Sequence, residues 1–286
     1  MKRSAILWGV LLLLVVMTMG VWGAVVELSR PGQLRVTFLN VGQGDAILIE
    51  SPTRRQVLID GGRDRAVLRE LGAVMPWWDR SIDVVIATHP DADHVGGLFE
   101  VLARYEVQTI FQSGVQNDTP QTESLLSAVS RERSNGAEER LARRGQIIDI
   151  GGGAYIQILF PDRDVSGLET NTASIVMRVV YGDTAFLLNG DSPKTIEEYL
   201  VLLDGVHLKS NVLKAGHHGS DTSSAISFVG YVSPEWAVFS RGCDNTYGHP
   251  HQEVVDLMKR FEIATKDTCL DGRVSFTSDG KSVLAK

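Results

Sequence analysis

The sequence contains only two cysteines among its 286 residues, Cys243 and Cys269. Two thiols cannot form a cysteine-based metal site by themselves. They can form one disulfide if the domain lies in an oxidising compartment, or they can stay unpaired as small apolar side chains. The chain also lacks an excess of basic charge, since 28 Lys and Arg residues face 35 Asp and Glu residues and the net charge is −7. A protein that grips long nucleic acid through phosphate contacts alone is normally basic, so composition disfavours that class.

Charged residues are absent between residues 4 and 26, and this segment is mostly apolar. It is long enough to span a bilayer as a helix, and Lys2 and Arg3 in front of it should stay in the cytoplasm. We therefore expect residues 1–27 to form an N-terminal membrane anchor, with the rest of the chain outside the cytoplasm. A cleaved signal peptide is the alternative, and it would make the protein secreted.

Metal-binding side chains are concentrated in one short segment, THPDADHVGG (Thr88–Gly97). The segment holds two histidines and two aspartates within six positions. It directly follows the apolar run Val84–Ala87, which is typical of a buried strand. The cluster then lies at the carboxyl end of a strand, where α/β sheets place their ligand sites. Since clustered His and Asp side chains are common metal ligands, we favour a metal site over a solvated acidic turn.

Polar side chains recur after other predicted strands. These side chains are Asp60, His89 to His94, Asp191, His217, His218 and His249. The succession of strand pairs and single helices predicts one α/β domain over residues 34–286, with two sheets and helices outside them. Residues that are far apart in the sequence can therefore meet at one edge of the sheets. The mixed-charge segment Arg131–Arg144 predicts a solvated helix pair rather than a nucleic-acid patch.

Together, these segments resemble the metallo-β-lactamase superfamily. The pattern His89-x-Asp91-x-Asp93-His94 is followed by Gly190-Asp191 and then by Gly216-His217-His218-Gly219-Ser220. Within the superfamily, the chain is similar to the extracytoplasmic hydrolase domain of the ComEC/Rec2 DNA-uptake proteins. The segments that carry this likeness are FLNVGQGDAILI (Phe38–Ile49), THPDADHVGG, LKAGHHGS (Leu213–Ser220) and YGHPH (Tyr247–His251). The resemblance implies an αββα sandwich with a metal-dependent hydrolytic site along one edge.

The resemblance also implies a role for each polar residue. His89 and Asp91 would hold one metal ion, Asp93, His94 and His217 would hold a second, and Asp191 would bridge the two. Two divalent ions, Zn²⁺ or Mn²⁺, would share a hydroxide that attacks phosphorus, with Asp93 beside it. The remaining candidates are Lys214 for screening phosphate charge, His218 and His249 for proton transfer or substrate binding, and Asn171 for substrate binding. Asp60 is expected to orient a ligand rather than to contact metal.

Two departures from the superfamily pattern concern the first metal ion. Many members have His where Asp91 stands, and no histidine occurs between residues 95 and 206 to act as a third ligand. Asn171 occupies the corresponding region and could complete this position. Oxygen ligands would move the metal preference towards Mn²⁺.

The sequence therefore predicts a membrane-anchored, extracytoplasmic phosphodiesterase, and the resemblance favours a nuclease related to DNA uptake. Its partners would be DNA or another phosphodiester, the membrane, and a separate DNA-uptake channel protein. One alternative is a cell-surface phosphodiesterase for choline-phosphate or teichoic-acid-like substrates. Another is a degenerate, non-catalytic metal-binding module, which the missing third histidine keeps open.

Overall fold

The structure is a computed structural model that describes residues 2–29 and 32–286, with side chains for residues 7–22 and 32–286. The chain divides into two units, Met1–Gly32 and Gln33–Lys286. Among the described residues, the first unit contains one helix, α1 (Lys2–Ser29). Within the part of the chain that the structure describes, no helix meets the length and hydropathy needed to cross a membrane. The side chains of Lys2 and Arg3 lie outside the described residues, so the anchor and its orientation stay predictions.

Strands and helices alternate along the second unit.

The elements of the second unit follow in chain order. Its first half contains β1 (Leu34–Phe38), β2 (Ile47–Glu50), β3 (Gln56–Ile59), α2 (Ala66–Val74), β4 (Ser81–Ala87), α3 (Ala92–Val95), α4 (Leu98–Leu102), β5 (Glu106–Gln112), α5 (Pro120–Ser134), β6 (Glu138–Leu141), β7 (Ile147–Gly151) and β8 (Ala154–Phe160). Its second half contains β9 (Val176–Tyr181), β10 (Thr184–Leu188), α6 (Lys194–Asp204), β11 (Val212–Lys214), α7 (Ile226–Val232), β12 (Trp236–Phe239), α8 (Gln252–Arg260), β13 (Ala264–Asp267), α9 (Thr268–Asp271), β14 (Val274–Ser278) and β15 (Val283–Ala285).

The strands form two mixed sheets. The first has the order β15-β14-β1-β2-β3-β4-β5-β6, and the second has the order β13-β12-β11-β10-β9-β8-β7. Strands β3 to β6 run parallel to one another in the first sheet, and β10 to β13 do so in the second. The carboxyl ends of each parallel set therefore lie at one edge of its sheet.

Alternating side chains of each strand pack on opposite faces of the sheets. Ile86 of β4 and Phe186 of β10 belong to the core between the two sheets. Val85 packs outwards with α2, α4 and α5, whereas Leu187 packs outwards with α6, α7 and α8. The layers are thus helix, sheet, sheet and helix, and the predicted α/β fold with two sheets is confirmed.

The prediction of a helix pair at Arg131–Arg144 is wrong. Helix α5 ends at Ser134, and β6 then pairs in parallel with β5. Gly136 lies between them with φ +108°, a conformation that ends a helix and favours glycine. Strand β6 lies at the edge of its sheet, where exposed charged side chains are common, so its composition does not separate a solvated helix from an edge strand.

Cys243 and Cys269 form a disulfide, with their Cα atoms 5.0 Å apart. Cys243 lies between β12 and α8, and Cys269 lies in α9. The disulfide therefore joins the loop that carries His249 to the neighbouring end of β13. Of the two states that the sequence left open for these cysteines, the structure has the paired one.

Candidate metal centre

Loops at the carboxyl ends of the parallel strands bring the polar side chains together. Asp60 follows β3 and His89 follows β4 in the first sheet, while Asp191, His218 and His249 follow β10, β11 and β12 in the second. These loops meet because the two sheets pack face to face with the same edges aligned. Asp45, His94, Asp191 and His218 are buried and offer ligand atoms within 4.8 Å of one another.

Asp60 organises the loop after β4. Its Oδ1 accepts a hydrogen bond from the Thr88 backbone N–H at 2.8 Å, and its Oδ2 accepts from Thr88 Oγ1 at 2.7 Å. The same Oδ2 lies 2.8 Å from Nδ1 of His94. Asp60 is fully buried and adopts a positive φ of 56°, which is rare for a residue other than glycine. The side chain thus orients His94, in the supporting role that the sequence suggested.

Four histidines use Nδ1 to fix the direction of the ring. His94 Nδ1 faces Asp60, and His218 Nδ1 lies 2.8 Å from the carbonyl oxygen of Ser240. His89 Nδ1 and His217 Nδ1 each lie 3.0 Å from a threonine hydroxyl, that of Thr88 and that of Thr222 respectively. Both hydroxyls donate their own hydrogen elsewhere, so they accept from the rings. When the ring is neutral, these contacts keep the hydrogen on Nδ1 and the lone pair on Nε2, which is the tautomer that binds metal through Nε2.

The Nε2 atoms of His94 and His218 converge on Asp191. They lie 3.3 Å from each other, and each lies 3.3 Å from Asp191 Oδ2. Asp93 Oδ2 lies 3.4 Å from His218 Nε2. Four ligands at about 2.0–2.1 Å from a tetrahedral Zn²⁺ ion lie about 3.3–3.4 Å from one another. The spacing and the donor types of these four residues therefore fit a divalent metal ion.

A second group of donors surrounds His89. Its Nε2 is buried without a hydrogen-bond partner and lies 3.7 Å from Asp91 Oδ2. Asn171 Oδ1 is also buried without a partner. Unpaired buried polar atoms are costly, and a cation near them removes that cost. His89 and Asp91 therefore fit a second ion, and the unpartnered Asn171 Oδ1 is a further oxygen of the kind that such an ion binds.

Lys214 and Asp45 lie behind the imidazole rings. The Lys214 ammonium group is fully buried, and its Nζ lies 2.6 Å from Asp45 Oδ2 and 3.2 Å from Asp191 Oδ1. It also donates to the Gly190 carbonyl oxygen at 2.8 Å. Asp45 faces the Nδ1 side of His218, at 3.4 Å, and not the Nε2 side. We therefore place Asp45 in the charge balance around the ligands rather than among the ligands.

Charges in this layer shift several pKa values. Burial opposes ionisation of Asp45, but Lys214 and His218 hold its pKa below the usual range. The pKa of Asp191 is likewise well below its usual value, because His218, His94 and Lys214 outweigh the effect of burial. Burial lowers the pKa of His94, but Asp191 and Asp60 raise it well above 6.5 overall. Asp191 thus stabilises positive charge at these rings, and a metal ion would compete with a proton for the same atoms.

His217 and His249 lie beside each other next to the ligand cluster, and His217 is partly exposed whereas His249 is buried. The His217 side chain is 27% exposed, and its Nε2 lies 3.6 Å from Asp191 Oδ2. The His249 ring lies 5.4 Å from the His217 ring and stacks on Tyr247 at 5.6 Å. Burial and the nearby His217 lower the pKa of His249 to about 4, so its ring is neutral at neutral pH. Both rings are placed to contact a bound substrate.

The adjacent histidines of the Gly216–Gly219 turn point in different directions. His217 and His218 both have positive φ values, 47° and 56°, and their ring planes differ by 71°. His218 is buried and contacts His94, whereas His217 faces the open side. The resemblance implied that His217 binds the metal and that His218 binds substrate or transfers a proton. The observed positions instead favour His218 as the metal ligand and His217 as the residue that contacts substrate.

The structure brings the remaining predicted site residues to the same edge of the two sheets. The surroundings of one of them, Lys214, differ from those predicted. Lys214 was expected to screen substrate phosphate, but all three of its N–H groups have acceptors inside the protein. Its position suits it to hold Asp45 and Asp191 instead. Asp45 was missed as a site residue. Its signal was the Gly-Asp pair of the segment Asn40–Asp45, which also reads as an ordinary turn.

Comparisons with known proteins agree with this geometry. The chain is 29% identical over 266 residues to ComE operon protein 3 of Bacillus subtilis (strain 168), with 87% of this chain and 33% of that protein covered. It is 32% identical over 254 residues to Competence protein ComA of Neisseria gonorrhoeae, with 87% and 33% covered. The chain thus spans about a third of the length of these relatives.

A solved structure shows the same fold at low sequence identity. Igni18, described as a novel metallo hydrolase from the archaeon Ignicoccus hospitalis, superposes with a TM-score of 0.53 at 13% identity, covering 85% of this chain and 98% of that chain. Residues 39–235 match the family described as the metallo-beta-lactamase superfamily. This match covers most of the second unit and includes the ligand cluster, and the chain therefore belongs to the metallo-β-lactamase superfamily.

Proposed function

We propose that this protein is a metal-dependent phosphodiesterase that cleaves DNA outside the cytoplasm, anchored to the membrane by residues 1–27. The observation that carries the proposal is the convergence of His94 Nε2, His218 Nε2 and Asp191 Oδ2 at mutual distances of 3.3 Å. Two divalent ions, Zn²⁺ or Mn²⁺, are its cofactors.

The residues divide between the two ions by position. Asp93, His94, Asp191 and His218 would hold one ion, and His89, Asp91 and Asn171 would hold the other. A pair of divalent ions supplies Lewis-acid stabilisation of the charge that develops on phosphoryl oxygens. Five carboxylates and one ammonium group occupy the centre, so its excess negative charge favours dications; these groups are Asp45, Asp60, Asp91, Asp93, Asp191 and Lys214.

Protein side chains then bind and orient the substrate. His217 and His249 lie next to the ligand cluster, where a phosphodiester can approach. A neutral imidazole offers one N–H hydrogen bond to a phosphoryl or leaving oxygen. The His249 backbone is fixed by Asn245, whose side chain accepts from His249 N at 2.9 Å and donates to its carbonyl oxygen at 3.0 Å. These two hydrogen bonds fix the backbone that carries the His249 ring beside the metal-binding residues.

Two observations support DNA and an extracytoplasmic site. The curated relatives are named for the ComE operon and for competence, and a phosphodiester backbone is the part of DNA that this chemistry would cleave. The Cys243–Cys269 disulfide is typical of oxidising compartments. A separate channel protein would bring DNA to the site. The choline-phosphate alternative requires an aromatic cage, and among the described residues at the rim we find only Tyr247 beside the histidines.

The test uses the full chain in detergent, stripped with a chelator and reloaded with Zn²⁺ or Mn²⁺. We expect cleavage of single- or double-stranded DNA and of bis(4-nitrophenyl) phosphate only after reloading. His94→Ala should abolish both activities, whereas His207→Ala, an exposed histidine outside the site, should leave them unchanged. Cleavage of the small diester without cleavage of DNA would reject the DNA assignment, and less than one bound ion per chain would reject the metal centre.

A further inference from the structure

A groove opens beside His89. It has a volume of about 490 Å³ and runs from His89 and Pro90 along the end of β5 to α5. We call it the His89 groove. Its size falls within the range of about 300–1,000 Å³ that is usual for small-molecule sites. Thr122 of α5 donates to the Pro90 carbonyl oxygen at 3.2 Å, so the far wall is fixed relative to the metal-binding loop.

One wall of the His89 groove is apolar. It is formed by Val115, Leu125, Leu126 and Leu141. Leu126 and Leu141 are 50% and 48% exposed. Side chains that expose this much apolar area next to a catalytic centre can cover the flat face of a bound ring.

The His89 groove also offers uncharged hydrogen-bonding groups. Gln116 and Asn117 line it, and neither side-chain amide has a hydrogen-bond partner among the residues that the structure describes. Each amide carries both a donor and an acceptor. Such groups match the edge of a nucleobase, which also presents donors and acceptors side by side.

The charge of the His89 groove excludes a second phosphate. Among the described residues that line it there is no Lys or Arg, and the acidic ones are Asp118 and Glu139. Glu139 is paired with Arg133 at 3.0 Å and accepts from Gln112 Nε2 at 2.8 Å, so Asp118 carries the uncompensated charge. A phosphate placed here would meet the Asp118 carboxylate, whereas the neighbouring Arg133 and Arg143 already have protein partners, Glu139 and the Ser113 carbonyl oxygen.

We propose that the His89 groove binds the nucleobase and sugar joined to the phosphate that is cleaved at the metal centre. The inference rests on the proposed function, and it adds a subsite on one flank of the scissile bond. A quaternary amine is the competing occupant, because Asp118 would attract it. Apart from His89 no aromatic ring lines the groove, however, and such a cation is normally held by aromatic faces.

The experiment separates binding from cleavage. Binding of thymidine, an uncharged nucleoside, to the full chain is measured by saturation-transfer NMR, with choline as the competing probe. We expect thymidine to bind and the double variant Gln116→Ala/Asn117→Ala to lose this binding. Gln121→Ala, which removes a nearby amide on α5 that does not line the groove, should retain it. No thymidine binding to the wild type, or binding of choline in its place, would overturn the inference.

Steady-state kinetics with two diester substrates provide a second test of the subsite. For thymidine 5′-(4-nitrophenyl phosphate), the double variant should raise KM about tenfold with kcat unchanged, as the loss of two hydrogen bonds predicts. For bis(4-nitrophenyl) phosphate, it should change neither constant. Equal changes with both substrates would contradict the subsite. Thymidine binding without cleavage of either diester would instead reject the proposed function and leave the groove assignment standing.

Discussion

Lys214 Nζ lies 3.2 Å from Oδ1 of Asp191, while Oδ2 of the same carboxylate faces the imidazoles of His94 and His218 at 3.3 Å. The two oxygens therefore have separate partners. The buried ammonium group fixes one of them, so the other keeps a constant direction towards the ligand atoms. Supporting contacts of this kind set the geometry of metal ligands.

Replacing Lys214 by Met should destabilise the metal-free protein strongly. The substitution leaves Asp45 and Asp191 as buried carboxylates without their cation, and breaking a buried ion pair in this way costs about 3–5 kcal/mol. The loss in unfolding free energy should be smaller with Zn²⁺ bound, because the ion supplies the missing positive charge. Urea denaturation with chelator and with Zn²⁺ measures both values.

Lys209 provides the control, since it is exposed and lies on the loop before β11. Lys209→Met should change the unfolding free energy by less than about 0.5 kcal/mol in either condition. If the two lysine variants lose equal stability, Lys214 does not have the electrostatic role assigned to it.

The adjacent histidines should separate metal binding from substrate binding. His218→Ala removes the Nε2 atom that lies 3.3 Å from both His94 and Asp191, so the number of bound ions should fall by about one per chain. His217→Ala should keep the ions and lower kcat. Inductively coupled plasma mass spectrometry gives the metal content, and hydrolysis of bis(4-nitrophenyl) phosphate gives kcat. Loss of an ion from the His217 variant alone would restore the assignment made from sequence.

This difference shows what sequence could and could not predict. The strand ends, and hence the residues that meet, follow from hydrophobic pattern and from the shared edge of parallel strands. The choice between His217 and His218 depends on two positive φ values in one turn, which no spacing rule indicates. From the sequence, Lys214 was predicted to screen substrate phosphate. Its burial depends on the packing of β11 between two neighbouring strands, which the sequence pattern does not indicate.

Asp45 was not predicted as a site residue from the sequence, for a related reason. Its backbone N–H donates to the Asp93 carbonyl oxygen at 3.2 Å, which requires a close approach of two distant loops. Gly44 permits this approach, with φ +117°, because a Cβ there would collide with that carbonyl oxygen. The only sequence feature that accompanies this tertiary contact is a glycine. A glycine before an aspartate is equally typical of a turn, so it does not indicate the contact.

Glu197 should make stability depend on pH. Burial raises its pKa to about 7, although it accepts hydrogen bonds from Asn189, Ser224 and Ala225. The folded state therefore holds a proton that the unfolded chain releases above its ordinary pKa of 4.5. The stabilisation is complete below pH 4.5 and is lost as the pH rises through 7. Relative to Glu197→Gln, the wild type should lose about 3 kcal/mol of unfolding free energy between pH 4.5 and pH 8.

Urea denaturation of both proteins at several pH values tests this. Comparison with the Gln variant cancels the histidines, which titrate in both proteins. Glu198→Gln, an exposed neighbour on α6, should follow the wild-type curve. A wild-type curve parallel to that of the Glu197 variant would show that folding does not raise the pKa of Glu197.

Removing the Cys243–Cys269 disulfide should lower stability and leave the active site intact. The cross-link closes a loop with a sequence separation of 26 residues, and the chain-entropy relation gives about 3–4 kcal/mol for that length. The double variant Cys243→Ser/Cys269→Ser should therefore unfold at a lower urea concentration, and a reductant should lower the stability of the wild type but not that of the variant.

Because Asn245 fixes the His249 backbone independently, kcat of the double serine variant at 25 °C should stay within about twofold of the wild-type value. Asn245→Ala should give the opposite pattern, with a fall in kcat and intact cross-link stabilisation. A large fall in kcat for the double serine variant would mean that the disulfide, and not Asn245, holds His249 in place.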